Sequence, residues 1–253
     1  MLNIIKADFY RITKTKGFYL YWVAIIAIYG ITIAMQQPGG INMGTYSYYD
    51  DATTLDICQL AANFTFYYLM LFQVYGVVVG DFSEKTIKNT ISSAISRKTY
   101  FITKFIFTEI YVMVSFVIAN IGFYFANRIV NSGNEFHTTF GRYMKFFVRQ
   151  LPIMAGACAL VILVAFIIKK AATFNALTIL FPIVYPTILM IGLNGEEGNI
   201  LTKLLEYELS MQLFDVVLGD STKYITNCTV IGLAVLVVSF VVGYFTFNKF
   251  ELN

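Results

Sequence analysis

The stretch "ITNCTVIGLAVLVVSFVVGYFTF", residues 225–247, runs for 23 positions without an Asp, Glu, Lys or Arg. As a helix rising 1.5 Å per residue it covers about 34 Å, enough to cross the roughly 30 Å hydrocarbon core of a bilayer. It reads as a membrane span. Five more apolar runs of comparable length precede it, at 18–35, 60–79, 105–125, 151–168 and 174–193. The chain is 253 residues long, 58% hydrophobic and only 13% charged. Soluble domains typically carry about a quarter charged residues. Too few polar side chains remain to cover a water-facing surface, so lipid must solvate much of this protein. The expected fold is an all-α integral membrane protein, one transmembrane domain over 1–253 with six spans.

Span one is not a cleaved signal peptide, because its apolar run is too long and the following "MQQPGG" offers no small-x-small cleavage site. An even number of spans puts both termini on one side. The segments on that side hold 12 of the 18 Lys and Arg; the opposite segments hold six, with ten of the acids. Cytoplasmic loops are enriched in Lys and Arg, so both termini are expected in the cytoplasm.

Three segments outside the spans carry pattern. Residues 1–16 place Leu2, Ile5, Phe9 and Ile12 at steps of three and four, with Lys6, Arg11 and Lys14 elsewhere on the wheel. This suits an amphipathic helix in the headgroup plane, its cations near anionic lipid. Residues 194–222 form an outer loop in which Ile200, Leu204, Leu205 and Leu209 recur at helical spacing, predicting a helix on the membrane surface. The third is "GDFSEKTIKNTISSAISRKTYF", residues 80–101, between spans two and three. There Ile87, Ile91 and Ile95 recur every four residues, while Asp81–Lys85 and Glu84–Lys88 are acid-before-base pairs at i, i+4. A plain connection needs only a few polar residues and no apolar stripe. The stripe predicts a cytoplasmic helix over 81–100 that buries one face, against headgroups or against another protein.

The order of basic amphipathic start, span, outer loop, span and then "EKTIKNTISSAISR" resembles permease subunits of type-2 ABC exporters. The likeness is greatest to lantibiotic-immunity, bacitracin-export and amphipathic-peptide-export permeases. In that family the segment commonly reads Gly-Thr-Ile-Lys-Asn; here Lys85 takes the Gly position, followed by Thr86, Ile87, Lys88 and Asn89, with Arg97 at the later basic position. The resemblance implies a coupling helix, formed by Glu84, Lys85, Thr86, Ile87, Lys88, Asn89, Ile91, Ile95 and Arg97, that docks on a separate ATPase dimer. It further implies a bacterial cell membrane location, a second permease copy or paralogue, and an amphipathic or hydrophobic peptide cargo, with an antimicrobial peptide among the candidates. ATP and Mg would belong to the partner, with no cofactor in this chain and no nucleic-acid partner. In keeping with that, "GDFSEKT" lacks the glycine before Lys and the glycine spacing of a phosphate-cradling loop.

Other constellations are weaker. Glu196 and Glu197 suggest an E-E-x-x-x-R protease motif, but the Arg position holds Leu201, and the single histidine, His137, cannot build a metal site; no metal is expected. Gly76 and Gly80 form a G-x-x-x-G, which lets a helix backbone approach closely, within this subunit or between two. Glu109 lies inside span three and needs a partner; Lys104 or a cation on a neighbouring helix is the expected one, and a role in conformational coupling is the alternative. Pro182 and Pro186 interrupt span five. By the resemblance, spans two and five flank the transport pathway. Tyr67, Tyr68, Phe72 and Tyr75, with Phe181 and Tyr185, are then candidates to line it, or else to pack the core. Cys58, Cys158 and Cys228 read as small packing residues, with a Cys58–Cys228 bridge as a minor option. The rival functions are a membrane subunit that senses or sequesters an antimicrobial without transporting it, and a membrane-embedded enzyme.

Overall fold

A computed structural model describes residues 2–35, 54–83, 87, 91, 95–130, 139–193, 208–210, 212–213 and 222–249. They are almost entirely helical. In chain order the helices are α1 (Leu2–Lys14), α2 (Lys16–Met35), α3 (Thr54–Val74), a π-helical turn (Tyr75–Val79), α4 (Gly80–Ser83), α5 (Arg97–Val130), α6 (Phe140–Ile168), α7 (Ala171–Leu193) and α8 (Thr222–Lys249). Five of these stretches are long and apolar enough to cross a membrane: Lys16–Ala34, Ala62–Ser83, Arg97–Val130, Phe140–Ile168 and Ile225–Lys249. The chain is thus an all-α protein of membrane-spanning character.

Element ends differ from the sequence expectation in a consistent way. The second span does not stop at Val79 but runs on through the π turn to Ser83, and α5 begins at Arg97. Both ends of the expected 81–100 helix therefore belong to the spans beside it. α5, at 34 residues, is about 51 Å long and overshoots the hydrocarbon. α6 starts at Phe140, eleven residues before the expected 151, capped by the Thr139 hydroxyl accepting from the Arg142 N–H. It ends where Lys169 takes a left-handed conformation (φ 55°), the usual geometry of a helix stop.

The most extensive helix pair is α6 with α8. Its axis of approach is a glycine contact: a Cβ on Gly156 would stand 2.5 Å from the Gly232 carbonyl oxygen, and one on Gly232 would stand 2.3 Å from the Pro152 carbonyl oxygen. Small residues permit such backbone contact between helices in lipid. The expected Gly76/Gly80 pair does not do this within the chain. Nothing lies within 4 Å of a Cβ on Gly76, and Gly80 would meet only the Tyr75 carbonyl oxygen of its own helix. Around this seam the core is aromatic, with Phe101, Phe105, Phe166, Phe240 and Phe247 in mutual ring contact at 4.8–6.0 Å.

Candidate functional site

α1 is amphipathic, but its inward face is not only apolar. Ile12 is buried and Ile5 partly so, whereas Phe9 and Tyr10 are exposed. Between Ile5 and Ile12 the same face carries Asp8, which is buried. Asp8 meets Lys104 of α5 at 2.6 Å, and Lys104 meets Asp81 of α4 at 2.5 Å. Arg11 pairs with Asp81 and reaches Asp8 at 3.5 Å. Tyr100 donates its hydroxyl to Asp81 at 2.6 Å. Lys104 is only 1% exposed, so its charge is held wholly by these two acids and by the Val77 carbonyl at 3.2 Å. Two acids and two bases make the cluster neutral, which is what a buried position at the membrane edge demands.

The π turn contributes to the cluster. Its i+5 bond runs from the Gly80 N–H to the Tyr75 carbonyl, and the Gly76 and Val77 carbonyls accept from Arg11 at 3.4 Å each. π turns interrupt the regular ladder and recur at functional positions. One cluster thus pins three elements together: α1, the end of the second span, and the start of α5. Burial pushes the Asp8 carboxyl above the usual carboxylate range; Lys104 and Arg11 pull against it, and nearby Asp81 adds to the rise.

Lys104 is therefore not the partner of Glu109. Its ammonium is spent on Asp8 and Asp81, on the far side of α5's inner turns. Glu109 lies instead against the Cys158 thiol of α6, its polar neighbour among the described residues.

The apolar stripe is unevenly covered. Ile87 is 4% exposed and belongs to the chain's own core, while Ile91 and Ile95 are half-buried against that core. Ile87 is thus closed to a partner, and Ile91 and Ile95 keep part of their surface open. Glu84, Lys85, Thr86, Lys88 and Asn89 lie outside the described residues. Arg97 opens α5.

The six aromatic candidates divide into two groups. Tyr67, Tyr68, Phe181 and Tyr185 form one group of touching rings, with centroids 4.7 Å apart for Phe181–Tyr185, 5.9 Å for Tyr67–Phe181 and 5.7 Å for Tyr68–Phe181. Tyr67 is buried and the other three are half-buried, and together these rings join α3 to α7. Phe72 and Tyr75, with Gly76 and Gly80, instead line a cavity of about 520 Å³ between α2 and α3.

Two polar features escaped the sequence reading. A neutral network crosses the bundle: Asn63 donates to Gln150 at 2.7 Å, Gln59 to Asn120 at 3.3 Å, Tyr143 to the Asn120 carbonyl at 2.9 Å and Tyr29 to Asn63 at 3.3 Å. Between α7 and α8, Leu209, Ser210, Gln212 and Leu213 are buried rather than lying on a surface, with Tyr185 and Ser210 hydroxyls 3.1 Å apart. The Cys228 thiol donates to Gln212 at 3.0 Å and carries no disulfide. Ile200, Leu204 and Leu205, like Glu196, Glu197 and His137, fall outside the described residues.

Compared with known proteins, the chain matches no family model and none of the curated sequences.

Proposed function

We propose that this chain is the transmembrane permease subunit of an ABC exporter. It would have six spans, α7 being the fifth, with both termini in the cytoplasm of a bacterial cell. ATP hydrolysed on a separate Mg-dependent ATPase dimer drives the export of a hydrophobic or amphipathic peptide, an antimicrobial being the class the sequence resemblance points to. A second copy or a paralogue completes the pathway.

The observation that supports this reading is the closed base of the segment between spans two and three. Asp81 at its start and Tyr100 at its end are bonded at 2.6 Å, and both stand in the cluster held by Lys104, Arg11 and Asp8. A loop that only joined two helices would not need its two ends locked to each other and to α1. Locked in this way, the segment cannot be displaced without moving the start of α5, the end of the second span and α1 together. Those are the mechanical properties of a coupling element. Ile87 seats the segment on its own chain, which leaves docking to the half-buried Ile91 and Ile95 and to its other positions, Lys85, Lys88 and Asn89 among them.

The test begins with the tagged full-length chain, purified from the membranes in which it is native. Vanadate-sensitive ATP hydrolysis should accompany it, rise with an added cationic amphipathic peptide, and support uptake of that peptide into inside-out vesicles. Specific nucleotide binding by the isolated chain, or purification of an intact assembly without ATPase activity, would overturn the reading. ATP hydrolysis without peptide uptake would favour the sensing subunit.

A further inference from the structure

We infer that the cavity between α2 and α3 binds one anionic phospholipid from the leaflet on which α1 lies, its phosphate at Lys14 and Lys16 and one acyl chain inside. The inference stands on the cavity and its mouth and does not depend on the exporter reading.

The cavity opens beside the α1–α2 junction, at Thr15 and Gly17, and descends along Phe18, Tyr21 and Ala24 of α2, opposite Leu69 and Phe72 of α3. Thr15 to Ala24 spans about 14 Å along the helix axis. The pit therefore starts at headgroup level and ends among hydrocarbon. Its volume, about 520 Å³, lies in the range of sites that enclose an apolar ligand. Leu20 and Phe72 on its rim are 70% and 57% exposed, so it faces the bilayer laterally.

Charge selects the headgroup. Arg11 lies at the mouth but is engaged by Asp8 and Asp81 in the neutral cluster. The surplus comes from Lys14 and Lys16, exposed residues that flank the cavity-lining Thr15 in sequence, Lys14 holding its ammonium 5.8 Å from the centre of the exposed Tyr10 ring. Depth selects an acyl chain. Below the junction the wall is apolar, with Phe18, Tyr21 and Ala24 on one side and Leu69 and Phe72 on the other. Gly17 and Gly76 on the wall have open space where a side chain would be, which keeps the pit wide enough for a chain.

The chain has one tryptophan, Trp22, whose ring packs on two cavity-lining rings, Phe18 at 6.4 Å and Tyr21 at 5.7 Å. Its fluorescence is the readout. The full-length chain is reconstituted in phosphatidylcholine vesicles, and chain-brominated phosphatidylglycerol or brominated phosphatidylcholine is titrated in at equal mole fraction. Two lysines near the surface should favour the anionic lipid at the Trp22 site by roughly five- to thirty-fold in relative association constant. Lys14→Gln with Lys16→Gln should erase the preference. Gly76→Phe, whose Cβ would have no atom within 4 Å and whose ring would take up space in the pit, should remove the preference in protein that still elutes as the native species on size exclusion. Equal quenching by the two lipids in the native chain would overturn the proposal, as it would if a second protein copy covered the cavity. A preference surviving Gly76→Phe would also overturn it, because simple enrichment of anionic lipid around α1 needs no cavity.

Discussion

Replacing Lys104 by Met tests whether the charged cluster is a structural keystone. Methionine keeps most of the length and apolar stem of lysine but deletes the ammonium. The deleted group lies 2.6 Å from Asp8 and 2.5 Å from Asp81. Arg11 alone would then face both acids, leaving one uncompensated negative charge in a buried cluster. Removing one partner of a buried pair costs about 3–5 kcal/mol, mostly through the charge left behind. For a chain of this size that corresponds to a fall of roughly 6–20 °C in melting temperature. The assay is thermal unfolding in detergent, followed by the recovery of monodisperse protein on size exclusion. The critical control is Lys104→Met combined with Asp8→Asn, which leaves Arg11 opposite Asp81 and makes the cluster neutral again. The double variant should regain at least half of the lost stability, a coupling that independent sites do not show. A drop of less than about 2 °C for the single variant, or a double variant no more stable than the single, would refute the keystone role.

Gly232→Val should prevent accumulation of folded protein, since its Cβ would stand 2.3 Å from the Pro152 carbonyl oxygen, whereas Gly76→Ala, with no atom within 4 Å, should express at the native level; membrane yield compares the two. Ile87→Asp should destabilise the isolated chain by several kcal/mol, because the charge enters this chain's core, and unfolding of the purified subunit without any partner measures it. Gln150→Leu should cost about 1–3 kcal/mol by stranding the buried Asn63 amide now bonded at 2.7 Å, with Asn63→Leu in the same chain recovering part of the loss. With native cysteines replaced, a label confined to the outside should react with cysteine at positions Ser47 and Gly198 and not at Ser93; labelling at 93 from outside would reverse the orientation.

The spans were legible because lipid imposes a one-dimensional rule: a run of about 20 apolar residues is visible without knowing its neighbours. Helix ends were less so. Arg142, Lys145 and Arg149 look like loop residues by charge, yet α6 carries them in its first turns, where long side chains can reach water from a helix that has already begun. The Gly156–Gly232 contact had no signal at all, since the two residues lie 76 positions apart and neither belongs to a G-x-x-x-G. Gly76 and Gly80 had the motif and no second helix backbone against them among the described residues, which shows that the spacing permits close approach without specifying it.

The stripe at Ile87, Ile91 and Ile95 explains why the candidate site was only half legible. Ile87 is buried and Ile91 and Ile95 half-buried against this chain, and periodicity reports that a face is covered but cannot say by what. Asp8 is the reciprocal case. On a helical wheel it sits within the apolar side of α1, between Ile5 and Ile12, where it looks like a flaw in the amphipathic pattern. It becomes intelligible only beside Lys104, 96 residues further on, since a buried acid and a buried base each account for the other. The same pairing explains Asp81, which the i, i+4 rule assigned to Lys85 on the surface and which the structure turns inward to Lys104, Arg11 and Tyr100. Polar residues that break an apolar pattern at a membrane edge are therefore the ones to match across the sequence, acid with base. Here that matching would have joined α1 to the ends of spans two and three before any coordinates were known.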